Sequence, residues 1–276
     1  MSQERVGVYL RGDSTNIYRS TELANAGWYD EGQHGGAFAA LVAGHVESTV
    51  PTLADMEVSR LTVEIFRVIP LADLRIETEV IREGKRIQSV EARVYDPGDT
   101  LLSVVTVQRL RRADLPVPDD AKPPAGDLGH PDEADGEIGD AWGVGDAGKT
   151  MFHRNAMEVR EVFGGFSDKG PGGVWMRLKV PIVAGVEPTP LQRVVATADF
   201  CNGVSRGLDF NSWVFMNPDL SVHVARYPNG DWIGLSAASS YGDLGRGVAT
   251  GTLWDLDGWL GRSTQSLYLD RPDLKG

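Results

Sequence analysis

The pattern of apolar residues predicts a helix from Thr189 to Gly203. Apolar side chains recur there at helical spacing and form one stripe, made up of Leu191, Val194, Val195 and Ala198. Thr189 can cap the first backbone amides, Pro190 suits the first helical position, and Gly203 is a residue type that ends helices. At about 100° per residue, Asp199 lies about 40° beyond Val195, at the margin of the stripe. A carboxylate there is only partly hydrated, so it needs polar partners or a functional role.

A second helix is predicted from Gln33 to Glu47, ahead of Pro51. Its residues are small and apolar on nearly every side, which is typical of a helix buried within a fold. Two consecutive glycines, Gly35 and Gly36, stand near its start. The pattern therefore predicts a buried helix with other structure packed around it.

Alternating apolar and polar residues predict strands in the rest of the chain. In the first half the strand patterns cover residues 6–9, 17–21, 59–67, 74–81, 87–95 and 101–110. In the second half they cover residues 157–162, 174–180, 213–215, 221–227, 232–239, 247–253 and 259–269. Turn sequences such as Asp96-Pro97-Gly98-Asp99 separate neighbouring strands, so each half is expected to contain an antiparallel meander.

An acidic segment rich in Pro and Gly separates the two halves. From Ala113 to Gly148 the chain has ten acidic residues and one lysine, within a formal net charge of -12 for the whole chain. The rest is therefore nearly neutral, and it shows no basic stripe of the kind that binds nucleic acid. We expect an N-terminal domain at 1–112, a linker at 113–150 and a C-terminal domain at 151–276.

The two halves match each other when the sequence is shifted by about 159 residues. The shift aligns corresponding residues along the meanders, including Leu61 with Leu220, Arg67 with Arg226 and Asp96 with Asp255. It also lays the first helix over the second, with Ala40 opposite Asp199. The chain is therefore interpreted as a duplicated unit in which the first copy has Ala40 where the second copy has Asp199.

Composition limits where the protein works and which groups it uses. Cys201 is the single cysteine, which excludes an internal disulfide and suits a reducing compartment. No apolar run reaches the roughly 18 residues of a membrane span, and the first residues do not form a signal peptide. We therefore expect a cytoplasmic protein without membrane insertion. The five histidines lack the spacing of metal ligands, so neither a metal nor another cofactor is expected.

Two familiar motifs occur in settings that do not suit them. Gly203-Val204-Ser205-Arg206-Gly207 has the spacing of a nucleophile elbow, but a predicted helix precedes it where a strand is required. Residues 143–148 match GxGxxG, yet they follow no strand pattern and lie among acidic residues that would repel a pyrophosphate. Neither motif is assigned a role.

The duplicated unit resembles the hotdog fold, and the sequence resembles the acyl-CoA thioesterase II family of double-hotdog enzymes. The likeness covers both halves but not the linker, and it is carried by His34-Gly35-Gly36, Ala198-Asp199-Phe200 and the segment from Asp231 to Gln265. It implies an α+β fold of two repeats, each with a long central helix wrapped by an antiparallel β-sheet. It also implies hydrolysis of a fatty acyl-CoA thioester.

By position, the resemblance implies a catalytic set of Asp199, Ser240 and Gln265 that holds the attacking water. The family has Thr where this chain has Ser240, and the adjacent Ser239 is an alternative one residue away. A serine hydroxyl offers the same donor and acceptors as a threonine hydroxyl. Asp199 would accept the proton of the water, and partial burial is expected to raise its pKa toward neutrality.

Candidates for substrate binding lie at the start of the first helix and in one basic turn. The amides of Gly35 and Gly36, at the positive end of a helix, suit a developing oxyanion, and close helix–sheet packing is the equal alternative role for these glycines. His34 is beside them and is a candidate for substrate contact. The turn that contains Arg82 and Arg86 is a candidate for binding the phosphates of coenzyme A.

A non-catalytic protein that binds an acyl group or acyl-CoA is the alternative function, because a fold does not fix an activity. Self-association through an exposed sheet edge is also expected, which makes a homo-oligomer the predicted assembly.

Overall fold

The computed structural model describes residues 6–27, 32–123, 128–134, 136–137, 148–166, 168–210 and 212–271. In the first half the strands are β1 (Tyr9–Arg11), β2 (Ile17–Ser20), β3 (Met56–Ile65), β4 (Asp73–Arg82), β5 (Ile87–Tyr95) and β6 (Leu101–Arg111). They continue with β7 (Gly136–Glu137), β8 (Met157–Phe163), β9 (Gly172–Leu178), β10 (Val214–Met216), β11 (Asp219–Val224), β12 (Ile233–Gly242), β13 (Arg246–Asp255) and β14 (Gly258–Asp270). The predicted strands are thus present, with ends that differ by a few residues.

The strands form one sheet that runs through both halves, in the order β1-β2-β4-β5-β6-β3-β11-β14-β13-β12-β9-β8-β7, with β10 beside β14. On each side of the central β3–β11 contact, the four innermost strands follow equivalent orders, β3-β6-β5-β4 and β11-β14-β13-β12. Thr62 pairs with Ser221, the residue that the 159-residue shift makes its equivalent. This pairing is what two copies related by a two-fold axis would show, so the structure supports the duplication.

The first helix, α1 (Gly35–Thr49), is 15 residues long and is buried from Gly36 to Ala43. It packs against β4, β5 and β6, as its apolar composition predicts. Its C-terminal carbonyls are satisfied by the buried guanidinium of Arg109, which donates to Val46 O and Val50 O, each at 2.8 Å. Among the described residues, no helix has both the length and the hydropathy required to cross a membrane.

The expectation of a long central helix in each half is not confirmed in the second half. There α2 (Pro190–Ala198) has nine residues and ends at Asp199, and the single turn α3 (Cys201–Val204) follows. The predicted start is correct, because Thr189 and Gln192 form a capping box. The predicted end at Gly203 is wrong.

Side chains from β14 explain why the second helix breaks. Ser263 Oγ donates to Ala198 O at 2.8 Å, and Gln265 Nε2 donates to Asp199 O at 2.9 Å. Gln265 Oε1 also accepts from Asn202 N at 3.2 Å. Backbone groups that would otherwise have bonded along a helix thus find partners on the neighbouring strand.

The two main helices lie antiparallel and in close contact. The side chain of Gln192 donates to Ala40 O at 3.1 Å, and a Cβ atom on Gly44 would lie 2.2 Å from Gln192 Nε2. When the helices are aligned on their N-caps, His34 and Thr189, the residue equivalent to Asp199 is Gly44. The alignment of Asp199 with Ala40 was therefore four residues out of register.

The predicted linker lies only partly within the described residues, and its limits stay a prediction. Leu128 and Pro131 are buried, and their carbonyl oxygens accept from Trp175 Nε1 at 3.3 Å and from Arg160 Nη1 at 2.9 Å. This part of the acidic segment therefore packs on β8 and β9. Most of the GxGxxG match at 143–148 falls outside the described residues.

The edge of the sheet at β1 is covered by the chain that follows β9. Tyr9 N donates to Ile182 O at 2.8 Å, and Ala184 N donates to Tyr9 O at 2.9 Å. This edge is therefore not free to pair with another copy, and the predicted homo-oligomer does not follow from it.

Candidate active site

A cavity of about 250 Å³ lies at the N-terminal end of α1. One part of its wall is polar and contains Gln33, His34, Gly35, Asp199 and Asn217. The remaining wall is mostly apolar and is formed by Ala26, Ile65, Phe66, Arg67, Val68, Ile69, Met216 and Pro218. The cavity thus combines residues from both halves around Asp199.

Asp199 is 8% exposed, and its carboxylate is held from several directions. Gln265 Nε2 and Asn217 Nδ2 donate to Oδ1 at 2.9 and 3.0 Å. His34 Nδ1 lies 3.2 Å from Oδ2. One oxygen is therefore fixed by two amide groups, while the other faces the histidine.

The electrostatic surroundings of Asp199 differ from the expectation that its pKa would rise. Burial does act to raise the pKa of this carboxyl, but bonds from His34 and Asn217, the charge of His34 and the backbone N–H of Gly36 outweigh burial. The net effect lowers the pKa of Asp199 below its ordinary value. Asp199 is therefore an ionised carboxylate at neutral pH.

His34 has two possible partners for a single ring nitrogen. Its Nδ1 accepts from Gly36 N at 3.0 Å and also faces Asp199 Oδ2. An unprotonated Nδ1 can accept from Gly36, whereas a protonated Nδ1 can donate to Asp199, so the two contacts belong to different protonation states. The ring itself packs against Phe200 and Phe152, with centroids 4.5 and 5.1 Å away.

The two glycines at the start of α1 allow the carboxylate to approach the helix. A Cβ atom on Gly35 would lie 2.8 Å from Asp199 Oδ2, and one on Gly36 would lie 2.6 Å from Ala196 O. Both distances are too short for a side chain. Close packing therefore explains these glycines, and it also brings the positive end of the helix to the carboxylate.

Within the part of the chain that the structure describes, no three His, Cys, Asp or Glu side chains are grouped to hold a metal ion. Ser205, at the centre of the elbow-like motif, follows the helical turn α3 and is buried. Its hydroxyl donates to Cys201 O at 2.7 Å. The strand-to-helix turn of a nucleophile elbow is not present at this serine.

Comparison with protein families accounts for most of the chain. A family model described as the N-terminal domain of acyl-CoA thioesterase matches residues 25–109. A second model, described as the C-terminal domain of acyl-CoA thioesterase, matches residues 118–269. The chain belongs to the acyl-CoA thioesterase family.

Solved structures with this fold are similar over nearly the whole chain. A hotdog-fold protein of unknown function from Alicyclobacillus acidocaldarius has a TM-score of 0.73 and 18% identity, over 99% of both chains. A protein described as a thioesterase from Novosphingobium aromaticivorans has a TM-score of 0.72 and 20% identity, over 96% of this chain and 99% of that chain. Acyl-CoA thioesterase II TesB2 from Mycobacterium marinum has a TM-score of 0.65 and 16% identity, over 96% of each chain. These likenesses show the hotdog fold, and no curated protein matches the sequence.

In this member of the acyl-CoA thioesterase family, Ser240 lies away from Asp199. Ser240 pairs with Val248 on β13, and both residues are exposed. Ser239 pairs with Ala249, which in turn pairs with Gln265, and that row faces the helices. Successive side chains of a strand point to opposite faces, so the predicted position of the hydroxyl was on the wrong face.

The side chain of Ser239 faces inward, but its hydrogen-bond partner is not Asp199. Its hydroxyl lies 2.7 Å from the hydroxyl of Ser205. Neither serine is among the groups that contact the Asp199 carboxylate.

Asn217, which the sequence did not predict for the site, contacts the Asp199 carboxylate. It precedes Pro218 at the start of β11, and its amide also donates to Asp219 O at 3.1 Å, which fixes its orientation. The sequence offered only a weak signal for this residue. An Asn-Pro pair suggests a turn but does not show what the amide faces.

Arg82 and Arg86 lie at the other end of α1 from the cavity. Gln88, in the strand that follows their turn, donates to Pro51 O just beyond the C-terminus of α1. A helix of 15 residues separates the two ends by about 20 Å. The structure therefore does not bring this basic turn to the Asp199 pocket, and the arginine in the pocket wall is Arg67.

Proposed function

We propose that the protein is an acyl-CoA thioesterase that hydrolyses a fatty acyl-CoA in the Asp199 pocket. The observation that supports this most strongly is a buried, ionised carboxylate fixed by two amides beside a cavity with apolar walls. Membership of the acyl-CoA thioesterase family supplies the reaction class.

In the proposed mechanism, Asp199 orients a water molecule toward the thioester carbonyl carbon. Asn217 and Gln265 hold Oδ1, which leaves Oδ2 to accept a hydrogen bond from that water. As the new C–O bond forms, the water proton passes to Asp199. The C–S bond then breaks, and the departing thiolate takes up this proton to give coenzyme A and the free acid.

The lowered pKa of Asp199 makes it a weak base, so orientation of the water is a large part of its proposed contribution. Proton acceptance becomes more favourable as positive charge develops on the attacking water. Both effects require the ionised carboxylate, and a neutral amide of the same shape supplies neither.

For the oxyanion we propose the first backbone N–H groups of α1. The N–H groups of the first turn have no partner within a helix, and they point out along the positive end of its dipole. Gly36 N already donates to His34 Nδ1 at 3.0 Å and also faces the Asp199 carboxylate. The amide proposed for the oxyanion is therefore that of Gly35, which lines the cavity.

A panel of acyl-CoAs of increasing chain length, followed by release of free thiol, tests this function. We expect the wild type to hydrolyse one or more members, and Asp199→Asn to lose about a hundredfold or more in kcat, the range for loss of a general base. Asp243→Asn, in the exposed hairpin between β12 and β13, is the matched control and should retain full activity.

Absence of thiol release by the wild type across the panel would refute the catalytic proposal. Tight binding of acyl-CoA without turnover would then identify the alternative, a non-catalytic acyl-binding hotdog protein. Activity of Asp199→Asn near that of the wild type would refute the role of the carboxylate.

We propose a cytoplasmic location on sequence grounds alone, which fractionation of cells would test. Light scattering of the purified protein would test the predicted homo-oligomer, which the covered β1 edge does not support.

A further inference from the structure

Arg67 and Arg226 are equivalent residues of the duplicated unit that have different surroundings. Each lies two residues beyond the end of its strand, Arg67 after β3 and Arg226 after β11. The same shift makes Asp96, after β5, equivalent to Asp255 at the end of β13. The fold therefore offers each half the same arginine and the same aspartate.

In the second half the arginine and the aspartate form an ion pair. Arg226 Nη1 and Nη2 donate to the two carboxylate oxygens of Asp255 at 2.7 and 2.5 Å. The Asp255 side chain is fully buried, and it also accepts from the backbone of Asn229 and Asp257 at 2.8 and 2.9 Å. Arg226 thus neutralises a buried carboxylate that holds two turns together.

In the first half the equivalent residues, Arg67 and Asp96, do not form an ion pair. Asp96 accepts from Gly98 N and Thr100 N at 2.8 and 2.9 Å, and the side chain of Thr100 also bonds to it, so its partners belong to its own turn. The backbone of Thr100 is the main cause of the lowered pKa of Asp96, and the charge of Arg67 adds to it from a distance. Among the described residues, the guanidinium of Arg67 has no hydrogen bond or salt bridge.

Arg67 instead lies in the wall of the Asp199 cavity. It is exposed and stands between Phe66 and Val68, which are large apolar residues with 55% and 48% of their surfaces exposed. An unpaired guanidinium that lines a mostly apolar cavity wall suits a ligand with an anionic part and an apolar part. A guanidinium binds phosphate through two parallel hydrogen bonds, and it holds its charge at every working pH.

On the basis of the proposed function, we propose that Arg67 binds a phosphate group of the thiol carrier while the acyl group occupies the cavity. The carrier chemistry is that of phosphopantetheine, which coenzyme A and acyl carrier proteins share. In the first copy, the arginine equivalent to Arg226 is thus available for substrate binding, because it makes no structural ion pair with Asp96.

Two measurements on Arg67→Gln test the proposal. Binding of free coenzyme A, measured by calorimetry, should weaken about tenfold, as expected for loss of a charge-assisted hydrogen bond at an exposed site. In hydrolysis, KM should rise by a similar factor for acyl-CoA, with a much smaller rise for the acyl-N-acetylcysteamine thioester, which carries no phosphate. Arg67→Lys should restore part of the affinity, and added salt should reduce the difference between variant and wild type.

The source of the phosphate is resolved by a third substrate, the acyl-phosphopantetheine thioester. A KM effect equal to that for acyl-CoA identifies the phosphate of the pantetheine arm, which carrier proteins also present. An effect confined to acyl-CoA identifies a phosphate of the nucleotide.

Two control variants separate phosphate binding from simpler effects. Arg86→Gln removes the same charge at the far end of α1 and should leave coenzyme A binding unchanged. Arg226→Gln removes the equivalent arginine and should lower Tm without a selective rise in KM for phosphate-bearing substrates.

Unchanged coenzyme A binding in Arg67→Gln, or equal KM effects with and without phosphate, would overturn the proposal for Arg67. Absence of hydrolysis by the wild type would overturn the proposed function, while the binding measurement would still decide the role of Arg67.

Discussion

Asp199 remains ionised although it is buried, because its partners come from three separate parts of the chain. His34 precedes α1, Asn217 lies before β11 and Gln265 lies within β14. Each provides a hydrogen bond or a charge that offsets the cost of burying the carboxylate. A sequence pattern around Asp199 shows that the residue is unusual, but it does not show these distant partners.

The contrast between Asn217 and Ser240 tests the site at the scale of single residues. Asn217→Ala removes a donor that lies 3.0 Å from Asp199 Oδ1, and kcat should fall about tenfold, the value for loss of one hydrogen bond to a charged group. Ser240→Ala, on the outer face of the sheet, should stay within about twofold of the wild type. Thiol release measures both variants, and a larger loss in Ser240→Ala would contradict the placement of the site.

The error at Ser240 has a simple physical origin. Moving one residue along a strand moves the side chain to the other face of the sheet. A resemblance that is correct to within one residue therefore cannot choose between Ser239 and Ser240. The other two residues of the implied set, Asp199 and Gln265, are joined by a hydrogen bond in the structure.

At the scale of elements, local sequence was sufficient for α1 but not for the end of the second helix. Thr189 and Gln192 provide a capping box at the start of α2, and both lie in the sequence that they cap. The end at Ala198 depends on Ser263 and Gln265, which arrive from β14. A helix start encoded by local residues can be predicted, whereas a break stabilised by a distant strand cannot.

Capping of α1 by Arg109 provides a test at this scale. Arg109→Ala leaves Val50 O without its buried side-chain donor and leaves Val46 O with only the N–H of Val50, so the free energy of unfolding should fall by about 3 kcal/mol. Arg93→Ala removes an arginine whose ion pairs with Glu79 and Glu91 are at the surface, and it should cost less than about 1 kcal/mol. Urea denaturation measures both, and equal losses would show that the cap contributes little.

At the scale of the whole molecule, duplication supplied two similar halves that now differ in their chemistry. The first half contributes His34 and the N-terminus of α1 to the cavity, and the second contributes Asp199 and its amide partners. Near the other end of the helix pair, Glu47 accepts from Thr189 Oγ1 at 2.5 Å and from Tyr227 at 2.9 Å. These hydrogen bonds to Glu47 link the two halves at the end of the helix pair opposite the cavity.

The Arg226–Asp255 pair makes stability depend on pH in a predictable direction. Burial acts to raise the pKa of Asp255, but Arg226 and backbone N–H groups reverse this and hold it below 3.8. A lowered carboxyl pKa in the folded state stabilises the protein above the ordinary pKa, and this contribution is lost as pH falls through the folded value. Arg226→Gln should therefore cost about 2 kcal/mol at pH 7, discounted from the value for a fully buried pair because Arg226 is partly exposed.

The difference in Tm between Arg226→Gln and the wild type measures this effect. It should be full at neutral pH and should shrink as pH falls below 3.8. A difference in Tm that does not change with pH would show that Arg226 acts through packing and not through the charge of Asp255.

The sequence by itself determined the strands, the buried first helix, the duplication and the unusual position of Asp199, because periodicity and turn residues are local properties. Only the tertiary structure decided that the second helix stops at Asp199, that Asn217 joins the site and that Ser240 faces outward. It also decided that Arg67 is free where Arg226 is paired, although the two arginines follow equivalent strands. These outcomes depend on contacts between residues that are distant in the sequence. A shift of one residue in the register of a strand, or a different helix end, would change which residues meet.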